Sequence, residues 1–122
     1  MNVSCRAQGF ELSSAIDMFV RKEVHSTLDH FSEEIVSVDV FMKDTNGPKG
    51  GVDKQVLMRI QIRGRQQITM QTIREDLYAA IRISTKRAKR AVRRSLRKAR
   101  RFEKLSLRRL AIESPQRDMT EA

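Results

Sequence analysis

Apolar side chains return at every second position in three successive stretches of this chain. At every third or fourth position they return in the segments on either side. In the first stretch Val36, Val38, Val40 and Met42 share one face, while Ser37, Asp39, Phe41 and Lys43 share the other. A side-chain period of two belongs to a strand with one covered face. From Lys54 to Arg63 the pattern repeats, with Val56, Met58, Ile60 and Ile62 inward and Gln55, Leu57, Arg59 and Gln61 outward. Gly64 permits a tight reversal, and Gln66 to Ile73 gives a further strand with Ile68, Met70 and Thr72 inward. The opening run NVSCRAQ, residues 2–8, alternates as well. Between the strands at 36 and 54, DTNGPKGG concentrates turn formers and reads as a loop.

The flanking segments carry the helical period. Leu12, Ile16, Phe19, Val20, Val24, Leu28 and Phe31 predict a helix from about Ser14 to Phe31, capped by Ser13 or Ser14. A second helix starts near Arg74 to Asp76, with Glu75 and Asp76 expected in its first turn, where carboxylates suit the helix dipole. Its apolar stripe is Leu77, Ile81, Ser84, Ala88, Val92, Ser95, Ala99 and Phe102. From Ala88 the stripe narrows to small residues, so the first turns are expected to pack on the sheet and the later ones to project. The order is β-α-β-β-β-α. The predicted class is α+β: a four-stranded sheet with two helices on one face and the other face open. One domain is expected over residues 1–105, followed by a flexible tail over 106–122.

The charge is distributed very unevenly. Residues 1–81 hold 10 basic and 11 acidic side chains, whereas residues 82–109 hold 14 basic side chains against Glu103 alone. On a helix, Arg82, Lys86, Lys89, Arg93, Arg97 and Arg100 form one row at steps of three and four. Arg87, Arg90, Arg94, Lys98 and Arg101 form the adjacent row. A solvated helix face ordinarily mixes signs, because like charges at these spacings repel. A dense face of one sign calls for a polyanion. Arg outnumbers Lys in the run from 86 to 101, and its planar fork suits phosphate and base stacking. A membrane-lying helix needs a strong apolar stripe, which Ala88, Ser95 and Ala99 do not supply. The eleven cations are therefore read as a nucleic-acid-binding face. Only one aromatic, Phe41, is predicted on the open sheet face, too few for the stacking platform of an RNA recognition motif.

No catalytic or metal-binding constellation emerges. His25 and His30 stand five apart on the first helix and do not share a face. Cys5 is the only cysteine and falls on the inward face of the first strand, where a thiol packs as a small apolar group. No cofactor, metal, small-molecule substrate or enzymatic activity is expected. No apolar run is long enough for a membrane span, and the first residues lack the pattern of a secretory leader, so the expectation is a cytoplasmic protein without a membrane partner.

The motif REDLYAAI, residues 74–81, stands where the last strand meets the basic helix. Asp76, Leu77, Tyr78, Ala79, Ala80 and Ile81 resemble the D-[LM]-Y-A-A-I signature of the ribosome hibernation-promoting factor and ribosome-associated inhibitor A family. Together with the element order and the helix SSAIDMFVRKEVHSTLDHF, the resemblance covers roughly residues 1–105. It implies a fold like the double-stranded-RNA-binding domain with an added first strand. It also implies a partner, the small ribosomal subunit with its 16S-type rRNA, and a place in the channel used by messenger and transfer RNA. The family's basic helix positions fall on Lys86, Lys89, Arg90, Arg93, Arg94 and Arg97. The C-terminal dimerisation domain of long members is not expected here, so the resemblance is to the short form. The alternative from a different class is a general RNA- or DNA-binding architectural protein.

Overall fold

The computed structural model describes residues 1–44 and 53–113; the loop expected around 44–51 and the end of the tail fall on or beyond these limits. Strand β1 (Asn2–Gln8) leads to helix α1 (Ser14–Leu28), which closes with a single 3-10 turn (Asp29–Phe31). Strands β2 (Ile35–Asp44), β3 (Lys54–Ile62) and β4 (Ile68–Arg74) follow, then helix α2 (Leu77–Glu113). The sheet order is β1-β2-β3-β4. β1 runs parallel to β2, and the remaining pairs are antiparallel. A parallel neighbour requires a crossover, which α1 supplies. The α+β class and the β-α-β-β-β-α order are as the alternation predicts.

Side chains from one face of the sheet make the core. Val38, Val40 and Met42 of β2 and Val56, Met58, Ile60 and Ile62 of β3 are buried. From the helices, Val20, Val24 and Leu28 of α1 and Ala80, Ile81, Ala88 and Val92 of α2 are buried as well. Val20, Val24 and Leu28 recur at steps of four, and Ile81, Ser84, Ala88 and Val92 at steps of three and four, so each helix gives one stripe to the core. The small Ser84 and Ala88 side chains, both fully buried, allow close approach of α2 in these turns.

Three details depart from the sequence reading. Val36 is exposed and Ile35 is buried, because β2 carries a bulge: Ile35 pairs with Ile62 and Ser37 with Gln61, leaving Val36 as the extra residue. The inserted residue reverses the alternation at that point. Glu75 and Asp76 precede α2 rather than lying in its first turn. Asp76 caps the helix instead, its carboxylate accepting from the Tyr78 amide at 3.1 Å. The first helix ends in α geometry at Leu28, with Phe31 buried from the 3-10 turn. At the other end of α1, Ser13 is the cap, its hydroxyl accepting from the Ile16 amide at 3.2 Å.

Gly9, at φ +87°, packs so close to β2 that an added Cβ would lie 2.5 Å from the Asp44 carbonyl oxygen. Beside it, Asp44 and Lys54 pair across the β2–β3 ladder, and their side chains form an ion pair at 2.9 Å. Lys54 also lies 3.3 Å from the buried carboxylate of Asp53. The Asp44 carboxylate, and then Asp53, hold the Lys54 ammonium above its ordinary pKa.

By packing, the chain divides into Met1–Val92 and Arg93–Ala122. The first unit holds the sheet, α1 and α2 as far as Val92. In the second, the described residues are helical to Glu113. Within this second unit Ala99 is buried, while Phe102, Leu105, Leu107 and Leu110 are exposed.

Candidate nucleic-acid interface

The α2 side chains of the first unit separate cleanly by role. Ala80, Ile81, Ser84, Thr85, Ala88 and Val92 are buried, and Arg82, Lys86, Arg87 and Arg90 are exposed, with Lys89 half-buried. From Leu77 to Val92 the helix holds no acid. Lys86, Lys89 and Arg90 form no ion pair or hydrogen bond with any described residue. Such a face has no internal neutralisation and attracts anions. In the second unit, Arg93, Arg94, Arg97, Lys98, Arg100 and Arg101 are all exposed on their helical segment.

Two of the eleven cations are engaged in the fold. Arg87 Nη1 donates to the Gln71 carbonyl at 2.6 Å and to Thr72 Oγ1 at 2.8 Å, tying α2 to β4. Arg82 lies over the Phe19 ring at 5.8 Å, and that ring meets Tyr78 edge-on at 4.8 Å. An arginine over an aromatic face gains a cation–π attraction. Arg82 and Tyr78 therefore help to join α2 to α1.

A family model described as sigma 54 modulation protein / S30EA ribosomal protein matches residues 3–100. The chain belongs to this family. The match spans the sheet, α1 and every candidate cation except Arg101. No curated protein matches the chain in sequence. Among solved structures, a ribosomal subunit interface protein from Coxiella burnetii is similar at a TM-score of 0.67 and 17% identity, covering 77% of this chain and 96% of its own. The N-terminal domain of Thermus thermophilus Protein Y is similar at a TM-score of 0.66 and 22% identity, covering 77% of this chain and 98% of its own. At these identities the likeness is one of fold. It agrees with the β-α-β-β-β-α order that the sequence periodicities predict.

The open sheet face carries further functional candidates. Arg6, Asp39, Phe41, Leu57 and Arg59 line a pocket of about 210 Å³. Alternation along β2 and β3 already places Asp39, Phe41, Leu57 and Arg59 outward. Their juxtaposition follows from register: Arg6 pairs with Phe41, Phe41 with Leu57, and Asp39 with Arg59. The parallel placement of β1 decides this, and alternation within single strands carries no signal for it.

Other chemistry is sparse. Among the described residues, no group of three or more His, Cys, Asp or Glu side chains could hold a metal ion. His25 and His30 are both exposed, and His30 meets Phe31 edge-on at 5.0 Å. The Cys5 thiol is pushed up to about 11, chiefly by burial and further by the Asp17 carboxylate. A thiol held neutral is a poor nucleophile. No described helix is long and apolar enough to cross a membrane.

Proposed function

We propose that this chain is a cytoplasmic ribosome hibernation factor of the short form, which occupies the messenger and transfer RNA channel of the small ribosomal subunit. The cationic residues of α2 lie against 16S-type rRNA phosphates, with Lys86, Lys89, Arg90, Arg93, Arg94 and Arg97 as the central contacts and Arg100 and Arg101 extending them. Translation stops because the channel is filled; no bond is made or broken. The observation that carries this reading is the segregation on α2: one side is consumed by the core, and the exposed side carries cations and, as far as Val92, no acid. Membership in the sigma 54 modulation / S30EA ribosomal protein family supports rRNA as the polyanion. Arg82 and Arg87 contribute charge while also holding the helix in place.

The test is sedimentation of purified protein with small subunits through a sucrose gradient, with excess transfer RNA as competitor. The expected result is stoichiometric retention on the subunit despite the competitor. Loss to transfer RNA, or equal binding to any duplex of the same length, would instead identify a general RNA- or DNA-binding architectural protein. The paired variant Arg93→Glu, Arg94→Glu is expected to abolish retention with an unchanged circular dichroism spectrum.

A further inference from the structure

The open face of the sheet holds a second site of different character from the helix. Phe41 and Leu57 are half-buried neighbours on β2 and β3 and supply an apolar floor. Arg6 on β1 stands directly beside Phe41, and Arg59 stands two positions along β3 from Leu57. Both arginines are exposed, and neither has a hydrogen-bond or ion-pair partner among the described residues. Asp39 is held in place by the Ser4 hydroxyl, which donates to its Oδ1. An aromatic ring, an aliphatic wall, two cations and one oriented carboxylate thus converge on a space of about 210 Å³.

This volume is below the roughly 300 Å³ at which drug-sized pockets begin. It suits one flat ring system. The chemistry narrows the choice further. Stacking on Phe41 requires a π-face, the arginines require an anion on either side, and the Asp39 carboxylate accepts from an amino group. An unpaired nucleobase in a single strand meets all three demands, with its flanking phosphates on Arg6 and Arg59. We propose that this pocket receives one unpaired, amino-bearing nucleobase of the rRNA to which the protein binds. The proposal rests on the ribosome reading above and adds a base contact to the phosphate contacts of α2. Phosphate contacts position a protein; a captured base fixes its register.

Base-specific chemical probing of small-subunit rRNA tests this, with wild type, Phe41→Leu and Phe41→Tyr compared. Leucine keeps an apolar filler but removes the ring, and tyrosine restores it. Wild type is expected to protect an extended footprint that includes one single-stranded base. In Phe41→Leu that base should regain its reactivity while the rest of the footprint persists, with affinity reduced roughly 5- to 100-fold. Phe41→Tyr should restore both. Arg59→Gln, at an exposed position that leaves the floor intact, should weaken protection of the same base and serves as the check if Phe41→Leu folds poorly. A wild-type protein that footprints the subunit, with Phe41→Leu and Arg59→Gln giving the same footprint and affinity, overturns the pocket proposal alone. A wild-type protein that leaves no footprint overturns the ribosome reading, and this proposal with it. A photoreactive phenylalanine at position 41 that crosslinks to a ribosomal protein instead of rRNA overturns it as well.

Discussion

Arg87 Nη1 donates to Thr72 Oγ1 at 2.8 Å, joining the cationic side of α2 to the last strand of the sheet. The same nitrogen reaches the Gln71 carbonyl, so one guanidinium spans two successive residues of β4. Thr72 is itself buried. Arg87→Ala is therefore expected to destabilise the fold by about 1–2 kcal/mol, since a hydrogen bond from a charged donor is lost and a buried hydroxyl loses its partner. Arg90→Ala, one turn on with no such contact, is expected to stay within about 0.5 kcal/mol. Thermal melts of the two variants separate the structural arginine from the free one.

The two glycines with positive φ should behave differently. At Gly64 (φ +67°) an added Cβ meets nothing within 4 Å, so Gly64→Ala has only the left-handed backbone to oppose it, about 1–2 kcal/mol. At Gly9 the Cβ also meets the Asp44 carbonyl oxygen at 2.5 Å, and backbone must move. Gly9→Ala is expected to cost about 3 kcal/mol or more. Urea denaturation of both variants should give a clearly lower midpoint for the Gly9 substitution.

Cys5 should resist alkylation. Its thiol pKa is about 11 against an ordinary value of 9.0, so the thiolate fraction near pH 8 falls roughly 100-fold and the rate of iodoacetamide reaction with it. Unfolding in urea should restore the ordinary rate. Because the folded-state pKa is the higher one, the neutral thiol's contribution to stability is fully present below about pH 9. It is lost as pH rises toward about 11.

Salt should weaken ribosome binding in proportion to the phosphates contacted. Six contacts from α2 would give a slope of log affinity against log salt of roughly −4 to −5. Each single Lys or Arg to Ala change on the exposed side of α2 should reduce that slope by about one. Phe41→Leu should lower affinity and leave the slope unchanged, because a stacked base releases no counterion. Binding isotherms at several salt concentrations read both quantities.

Much of this fold is legible where a residue's role depends on its own element. The buried positions of β3 follow from alternation alone, and Ile81, Ser84, Ala88 and Val92 follow from the helical step. Legibility ends where a role depends on a partner strand. Val36 matches the alternation of β2, yet a bulge set by pairing with β3 turns it outward. Arg87 falls in an unbroken series of cations, and only the position of β4 beneath it makes it a structural tie. The cluster around Phe41 draws on three strands, so the site needs a register that no single stretch encodes. Asp76 reads as a first-turn residue but stands just outside the helix as its cap, because a carboxylate suits a first turn and a cap equally well in sequence.

The strand order also has a temporal consequence. A chain is made from its N-terminus, at about 5–20 residues per second. β1 is synthesised first, but its neighbour β2 begins only at Ile35, so the first strand must wait, unpaired, for its parallel partner. β2 in turn meets β3 and β3 meets β4 in the order of synthesis. The cationic helix follows β4. A newly made copy therefore has a complete sheet sequence before its polyanion-seeking segment is available, which limits the time in which an unfolded basic arm could attach to the nearest RNA.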